Sequence, residues 1–153
     1  MRLTVHTDYA LRLLMALALA PGQRQTIEDI ARRNGISRNH LMKVAQTLVR
    51  GGFVDSQRGR GGGLALRRPA DAISIGAVVR ATEDDFALVE CFTPAGRRKC
   101  ALASVCGLPG PLQAAMDAFF TVLDDCTLAQ IMQSPTRQRQ MRKVLGSPTA
   151  PAR

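Results

Sequence analysis

The amino-acid sequence predicts a mainly α-helical protein with one small β-hairpin. Two short helical segments meet at the tetrapeptide Asn34-Gly35-Ile36-Ser37, which is typical of a helix-turn-helix. Two apolar runs follow, and the glycine-rich residues 58–63 between them predict a hairpin that forms a wing. Three of the four cysteines then fall within residues 91–106, ahead of a long amphipathic segment. The predicted architecture is a winged helix-turn-helix followed by a cysteine loop and a long dimerisation helix.

The first predicted helix runs from Asp8 to about Ala20, with Thr7 as its N-cap and Pro21-Gly22 as its stop. Its large apolar side chains cannot share one face of a helix. They are Leu11, Leu13, Leu14, Leu17 and Leu19. We therefore expect this helix to lie between its own domain and a second subunit.

Capping residues define the next two helices. Thr26 caps a short helix that stops at Gly35, and Ser37 caps a second helix that runs to about Arg50. The strands of the wing are predicted at residues 53–56 and 64–66, with the basic tip between them.

The second half of the chain contains three further helical segments. Ser74 caps an apolar helix to about Thr82, and Thr127 caps a short helix. Between them, a long helix after Pro111 carries apolar residues at spacings of three and four. They are Leu112, Ala115, Met116, Phe119, Phe120 and Leu123. Little chain remains to cover this stripe, so we expect it to contact a partner subunit.

The charge of the chain is unevenly distributed. Residues 1–68 hold twelve Lys and Arg against four Asp and Glu, a net charge of +8, whereas residues 69–133 hold four against eight. Residues 134–153 hold five basic and no acidic residues. A basic helix-turn-helix half predicts a nucleic-acid partner, because clustered cations attract the phosphate backbone.

The residues that would contact double-stranded DNA lie on the second helix of the motif and on the wing. A solvated helix face is the simplest alternative for polar residues of this kind, but the wing and the charge favour contact with base edges. The candidates on the helix are Ser37, Arg38, Asn39, His40 and Lys43. On the wing, Arg58 and Arg60 would reach phosphates or the minor groove.

The cysteines Cys91, Cys100 and Cys106 suggest a metal or cluster site without a local fourth ligand. Their spacing permits an iron-sulfur cluster, a zinc site or redox-active thiols, and Arg97-Arg98-Lys99 would lower the pKa of nearby thiols. A thiol oxidoreductase is disfavoured because the chain has no C-x-x-C pair. Cys126 continues the apolar stripe of the long helix and is expected to be a buried structural thiol.

We expect a reduced, cytoplasmic protein without a membrane segment. Four cysteines are too few for a disulfide scaffold, and three of them are clustered. The apolar run near the N-terminus superficially resembles a secretory signal. However, Asp8 and Arg12 interrupt it, and the run is too short to span a bilayer.

Three stretches carry a family resemblance: M-R-L-T-V-H-T-D-Y-A-L-R at the N-terminus, I-S-R-N-H-L-M-K-V in the motif, and R-G-R-G-G-G-L-A-L in the wing. Together with the cysteine loop they resemble the small winged-helix iron-sulfur regulators, from residue 1 to about residue 132. This family includes nitric-oxide-sensitive repressors and repressors of iron-sulfur assembly. The latter are expected to have a histidine where this chain has Pro109, so the chain more closely resembles the nitric-oxide-sensitive branch.

The resemblance implies a transcriptional repressor and no enzymatic activity. It implies a homodimer whose cluster-loaded form binds an inverted-repeat operator and is released by nitric oxide. The implied cofactor is a 4Fe-4S cluster on the three cysteines and on Asp8 of the partner subunit; a redox or iron-sulfur-status regulator with a 2Fe-2S cluster is the alternative. The eight-residue spacer between Cys91 and Cys100 departs from the pattern of the family.

The expected domain organisation has four parts. Residues 1–82 form the winged helix-turn-helix DNA-binding domain, and residues 83–109 form the cluster-binding loop. Residues 110–133 contain the dimerisation helices. Residues 134–153 form a flexible basic tail.

Overall fold

The structure is a computed structural model that describes residues 2–145, apart from the side chain of Pro94. Eight α-helices and one two-stranded sheet are present in this part of the chain. The helices are α1 (Val5–Ala18), α2 (Ile27–Asn34), α3 (Arg38–Arg50), α4 (Ile75–Thr82), α5 (Pro94–Lys99), α6 (Pro109–Asp124), α7 (Leu128–Ile131) and α8 (Pro135–Leu145), and the strands are β1 (Val54–Gln57) and β2 (Gly63–Leu66). The predicted mainly helical fold with a small hairpin is confirmed.

Helix α1 starts earlier than the sequence predicts. Its N-cap is Thr4, whose side chain accepts a hydrogen bond from the Thr7 backbone N–H, so the helix begins at Val5 rather than at Asp8. Thr7 lies inside the first turn and is fully buried. Its hydroxyl group bonds to Thr82 instead of capping the helix. The prediction that Thr7 is the cap was wrong because an equally suitable threonine lies three residues before it.

The core of the protein surrounds α1. Leu13, Leu14 and Leu17 are at most 1% exposed, and α1 contacts α2, α3, α4, α7 and β2. Because these elements surround α1, they cover apolar residues on several of its faces. The expectation that a second subunit covers α1 therefore loses its basis, because the chain itself supplies the cover.

The helix-turn-helix and the wing form as predicted. Thr26 and Ser37 cap α2 and α3, and Gly35 adopts a left-handed conformation with φ of 64° between them. The strands are antiparallel, with Val54 opposite Leu66. Gln25 adds a bridge to Leu64 with backbone hydrogen bonds of 2.9 and 2.8 Å, which ties the wing to the segment before α2.

Two backbone hydrogen bonds and one ion pair hold the C-terminal half against the winged helix. Backbone hydrogen bonds join Ile75 to Cys126 at 2.8 Å and Leu128 to Ile73 at 2.9 Å. On α6, Asp124 accepts hydrogen bonds from the Arg80 guanidinium group, with Nη2 to Oδ2 at 2.7 Å. The hydrogen bond from Arg80 keeps the pKa of Asp124 below its ordinary value, because it stabilises the carboxylate.

The segments around α6 and at the C-terminus contain more helix than the sequence predicts. The spacer between Cys91 and Cys100 folds as α5, and α6 begins at Pro109, because proline is favoured at the first position of a helix. Residues 135–145, predicted as part of a flexible tail, form α8, which Met141 and Leu145 hold against the core. The rest of that predicted tail, residues 146–153, lies outside the described residues. Within residues 2–145, no helix is both long and apolar enough to cross a bilayer.

Leu17→Ala should lower the free energy of unfolding by about 2–5 kcal/mol, because it opens a cavity in the centre of the core. Urea unfolding at one fixed protein concentration measures this loss. Val144→Ala is the control: Val144 is 82% exposed on α8, and its truncation should change stability by no more than about 0.5 kcal/mol. Equal losses in the two variants would contradict the central position of α1.

Candidate nucleic-acid interface and cysteine cavity

Helix α3 separates its apolar and polar residues onto opposite faces. Leu41, Val44, Ala45 and Leu48 are 0–3% exposed and face the core. The predicted DNA-contacting residues Ser37, Arg38, Asn39, His40 and Lys43 are all exposed. The N-cap hydroxyl group of Ser37 accepts a hydrogen bond from the His40 backbone N–H at 3.3 Å. The side chains of the first turn are therefore free of the core on a fixed backbone.

Helix α1 holds α3 through two side-chain contacts. His6 Nε2 lies 3.2 Å from the Thr47 hydroxyl oxygen, and the ring of Tyr9 meets the ring of His40 edge to face at 5.3 Å. Arg38 forms an ion pair with Glu28 of α2 at 3.1 Å, with both side chains more than 60% exposed. Because exposed ion pairs are weak, Arg38 can leave Glu28 for a stronger anion.

The wing presents its arginines on a backbone that requires glycine. Arg58 and Arg60 are exposed, and Gly59 and Gly61 on either side of Arg60 have φ of 93° and 75°. At Gly62 a Cβ atom would lie 2.4 Å from the carbonyl oxygen of Gln57. Larger residues would open this tight tip, so the glycines position the arginines.

A groove of about 910 Å³ lies between α3 and the wing. Two of the proposed DNA-contacting residues, Arg38 and Arg58, line it together with Gln46, Arg50 and Gln57, which the sequence did not single out. Their helical spacing could have identified two of them: Gln46 follows Lys43 by three residues, and Arg50 follows Gln46 by four. The groove thus adds polar and basic side chains that suit a phosphate backbone.

Cys91, Cys100 and Cys106 line a single cavity of about 1180 Å³. Cys91 lies in a 3₁₀ turn (Glu90–Phe92), Cys100 ends α5, and the Cys106 backbone N–H donates to Leu102 at 2.9 Å. All three cysteines are partly buried and none forms a disulfide.

Gly96 allows α5 to fold back onto the turn that carries Cys91. A Cβ atom at this position would lie only 2.0 Å from the carbonyl oxygen of Glu90. The eight-residue spacer between the first two cysteines is therefore closed into a compact helical turn, which brings Cys91 and Cys100 to the same cavity. Arg97 of α5 also lines this cavity, whereas Cys126 does not.

The cysteines share a cavity but do not converge on one point. Among residues 2–145, no three His, Cys, Asp or Glu side chains form a group that could hold a metal ion. Asp8 is not among the residues that line the cavity. Its carboxylate pairs instead with Arg12 on the same helix at 2.8 Å, and its side chain is 48% exposed.

Two carboxylates that the sequence analysis did not assign to the site also line the cysteine cavity. Asp85 Oδ1 accepts a hydrogen bond from the Ala87 backbone N–H at 2.9 Å, and Asp117 Oδ1 accepts one from Gln113 at 2.9 Å. The acidic run at residues 83–85 was a signal for Asp85. Asp117 lies eleven residues after Cys106, so only the packing of α6 against the loop reveals its position.

Comparisons with known proteins identify related sequences and folds. The profile of the Rrf2 family, described as an iron-dependent transcriptional regulator, matches residues 3–134. The HTH-type transcriptional regulator NsrR of Bacillus subtilis is 47% identical over 135 residues, which cover 88% of this chain and 92% of that protein.

Two solved structures support the same fold. The oxidised form of CymR from Staphylococcus aureus has a TM-score of 0.66 at 30% identity, covering 88% of this chain and 98% of that one. IscR of T. potens has a TM-score of 0.69 at 22% identity, with 87% of each chain covered, and this likeness shows the fold alone.

Replacing Arg60 by Ala should weaken binding to duplex DNA and flatten its dependence on salt concentration. One lost phosphate contact should reduce the slope of log affinity against log salt by about one for each bound copy of the chain. Fluorescence anisotropy with a labelled random-sequence duplex measures both quantities.

Arg98→Ala removes the same charge from the exposed face of α5, outside the winged helix, and should leave the slope unchanged. If Arg60→Ala kept the wild-type slope of log affinity against log salt, the wing would not be part of the DNA-contact surface.

Proposed function

Because the chain belongs to the Rrf2 family of iron-dependent transcriptional regulators, we propose that it is a homodimeric repressor that carries an iron-sulfur cluster and responds to nitric oxide. Proteins of this family regulate transcription, so the chain is a DNA-binding regulator and not an enzyme. One observation carries the cluster proposal: three unpaired thiols from separate local elements line one cavity.

The proposed DNA contact combines α3, the wing and the groove between them. The exposed first turn of α3 would enter the major groove, where Arg38, Asn39 and Lys43 can bond to base edges. Arg58, Arg60 and Arg50 would bind the phosphate backbone beside it. This arrangement matches the net charge of +8 that residues 1–68 carry.

The donor set of the cavity suits an iron-sulfur cluster. Thiolates are the ligands that such clusters prefer, and Cys91, Cys100 and Cys106 supply three of them. Arg97 adds a positive charge that offsets the charge of the thiolates. When bound, the cluster would supply iron atoms that react with nitric oxide.

We propose Asp8 of the partner subunit as the fourth ligand of a 4Fe-4S cluster. Asp8 does not line the cavity of its own chain, but it is half exposed, and within residues 2–145 its carboxylate is held by an exposed ion pair to Arg12. Asp85 and Asp117 are the competing candidates within one chain. The description of the family as an iron-dependent transcriptional regulator supports the presence of iron, and variants of the three carboxylates distinguish among them.

A hydrogen-bond network connects the start of the cysteine segment with the helix that carries Asp8. Glu83, directly after α4, accepts hydrogen bonds from the Thr4 backbone N–H at 2.7 Å and from the Thr4 hydroxyl group at 3.0 Å. Thr7 of α1 also donates to Glu83. Since α1 in turn contacts α3 through His6 and Tyr9, a shift of α1 would be transmitted to the DNA-reading helix.

The outer face of α6 supports a homodimer. Phe120 and Leu123 pack against the chain's own core, and Met116 is buried beside the cysteine cavity. In contrast, Val122 is 68% exposed and Leu108, just before the helix, is 55% exposed. Leu112, Ala115 and Phe119 lie on the same side as Val122 by helical spacing. An apolar stripe of this length on an exposed helix needs a cover, and a second copy of α6 offers a self-complementary one.

Anaerobically purified protein should contain iron and sulfide, and its absorption and Mössbauer spectra should report a 4Fe-4S cluster that is altered by stoichiometric nitric oxide. Cys100→Ala should lose most of the iron, because a thiolate ligand is missing. Asp8→Ala should remain a folded dimer with an altered cluster stability or nitric oxide response. Spectra of a 2Fe-2S cluster would favour the redox-regulator alternative.

Matched variants make this experiment decisive. Cys126→Ala removes a thiol that lies outside the cavity and should keep its iron. Asp85→Ala and Asp117→Ala should behave as the wild type if the partner's Asp8 is the ligand. Stoichiometric zinc without iron would overturn the cluster proposal, and an effect of Asp85→Ala or Asp117→Ala in place of Asp8→Ala would reassign the fourth ligand.

Val122→Glu should convert the dimer into a monomer, because it places a charge in the apolar stripe of the proposed interface. Sedimentation velocity across a range of protein concentrations measures the change. Thr121→Glu is the matched control on another face of α6, where the residue is also exposed, and it should remain dimeric. If Val122→Glu stayed dimeric with an intact fold, α6 would not form the interface through this face.

A further inference from the structure

Helix α8 (Pro135–Leu145) is a basic helix that lies beyond the residues matched by the family profile, which end at residue 134. It carries four cationic residues and no acidic residue. They are Arg137, Arg139, Arg142 and Lys143. All four are exposed, so their charge is available to a partner.

Side-chain contacts anchor α8 to the body of the protein. Arg142 Nη2 donates a hydrogen bond to the carbonyl oxygen of Leu19 at 2.9 Å, and Gln138 Nε2 donates one to the carbonyl oxygen of Met132 at 2.5 Å. Met141 and Leu145 are partly buried against the core. The helix is therefore attached to the end of α1 rather than extending freely from α7.

One side of α8 lies next to α1 and to the end of α2. Arg137 and Gln140 line a cavity of about 280 Å³ together with Arg12 and Asn34. Asn34 is the last residue of α2 and precedes Ser37, the N-cap of α3, by three residues. Neither Arg139 nor Lys143 is among the residues that line this cavity.

A chain of two contacts leads from the same cavity to the exposed first turn of α3. The Arg12 guanidinium carbon lies 5.9 Å from the centre of the Tyr9 ring, and that ring lies 5.3 Å from the ring of His40. Arg137 is therefore one of the cations of α8 on the side of the proposed DNA surface.

Of the two arginines that line this cavity, Arg12 has a carboxylate partner among the described residues and Arg137 does not. Asp8 neutralises Arg12 at 2.8 Å. Within residues 2–145, Arg137 forms no ion pair. An exposed arginine without an internal counterion, next to a surface that reads DNA, suits a phosphate group of the same duplex.

We propose that α8 extends the DNA-contact surface and that Arg137 binds a backbone phosphate that flanks the bases read by α3. The partner is duplex DNA, and the contact is independent of base sequence because it involves the backbone alone. This inference rests on the proposed function as a DNA-binding repressor. It adds a contact outside the winged helix-turn-helix, from the segment that the sequence predicts as a flexible tail.

The test compares the full-length protein and three variants in anisotropy titrations over a range of salt concentrations, with a random-sequence duplex as the probe. Arg137→Gln should flatten the slope of log affinity against log salt by about one for each protomer. Lys143→Gln loses the same charge on another side of α8 and should keep the wild-type slope. Arg137→Lys keeps the charge and should restore the slope. Circular dichroism and thermal unfolding check that each variant is folded.

A wild-type slope in Arg137→Gln, or equal flattening in Lys143→Gln, would overturn the specific role of Arg137. The wing variant Arg60→Ala separates this failure from failure of the proposed function. If Arg60→Ala flattens the slope and Arg137→Gln does not, only the contact from α8 is wrong. If neither variant changes the slope, the DNA surface of the winged helix is itself wrong.

Discussion

The burial of α1 is the constraint on which the other elements depend. Leu13, Leu14 and Leu17 are at most 1% exposed because α3, α4, α7 and β2 all pack on this helix. Each such side chain contributes about 1.5–3 kcal/mol when it is fully removed from water, so α1 cannot move without the elements around it. The same helix carries Asp8 at its N-terminal end and holds α3 through His6 and Tyr9. A rigid central helix that reaches both a proposed cluster ligand and the DNA-reading helix is well placed to couple them.

Helix α6, the proposed dimerisation helix, also forms one wall of the cysteine cavity. Helix α6 turns Met116 and Phe120 toward the cavity and leaves Val122 exposed on its other side. Arg80 fastens α6 to α4 through Asp124 and also lies 4.0 Å above the ring of Phe120. Events at the cysteines would therefore act on a helix that is fixed to the winged helix at one end and has an exposed face for the proposed second subunit. This arrangement would allow one cavity to influence both the proposed subunit contact and the DNA surface.

Local sequence signals predicted most of the winged helix correctly. Thr26, Ser37 and Ser74 cap helices where the sequence places them, since an N-cap hydroxyl group acts on backbone N–H groups two or three residues away. The wrong predictions occurred where local sequence signals were ambiguous or weak. Thr4 and Thr7 are equally good caps in sequence, and burial of Thr7 against Thr82 decides between them. Likewise, α8 has no apolar periodicity strong enough to predict it, and its contacts with Leu19 and the core hold it in place.

Local patterns in the sequence were sufficient to predict the helix-turn-helix, the wing, the basic character of residues 1–68 and the three cysteines as a candidate ligand set. These features depend on capping, glycine conformation, charge and residue chemistry, all of which act over a few residues. Three features follow from packing and could not be predicted locally: the chain's own elements cover α1, Asp85 and Asp117 line the cysteine cavity while Asp8 does not, and α8 packs against the ends of α1 and α2. These outcomes depend on contacts between residues distant in sequence, where close packing selects one arrangement among many that the local pattern permits.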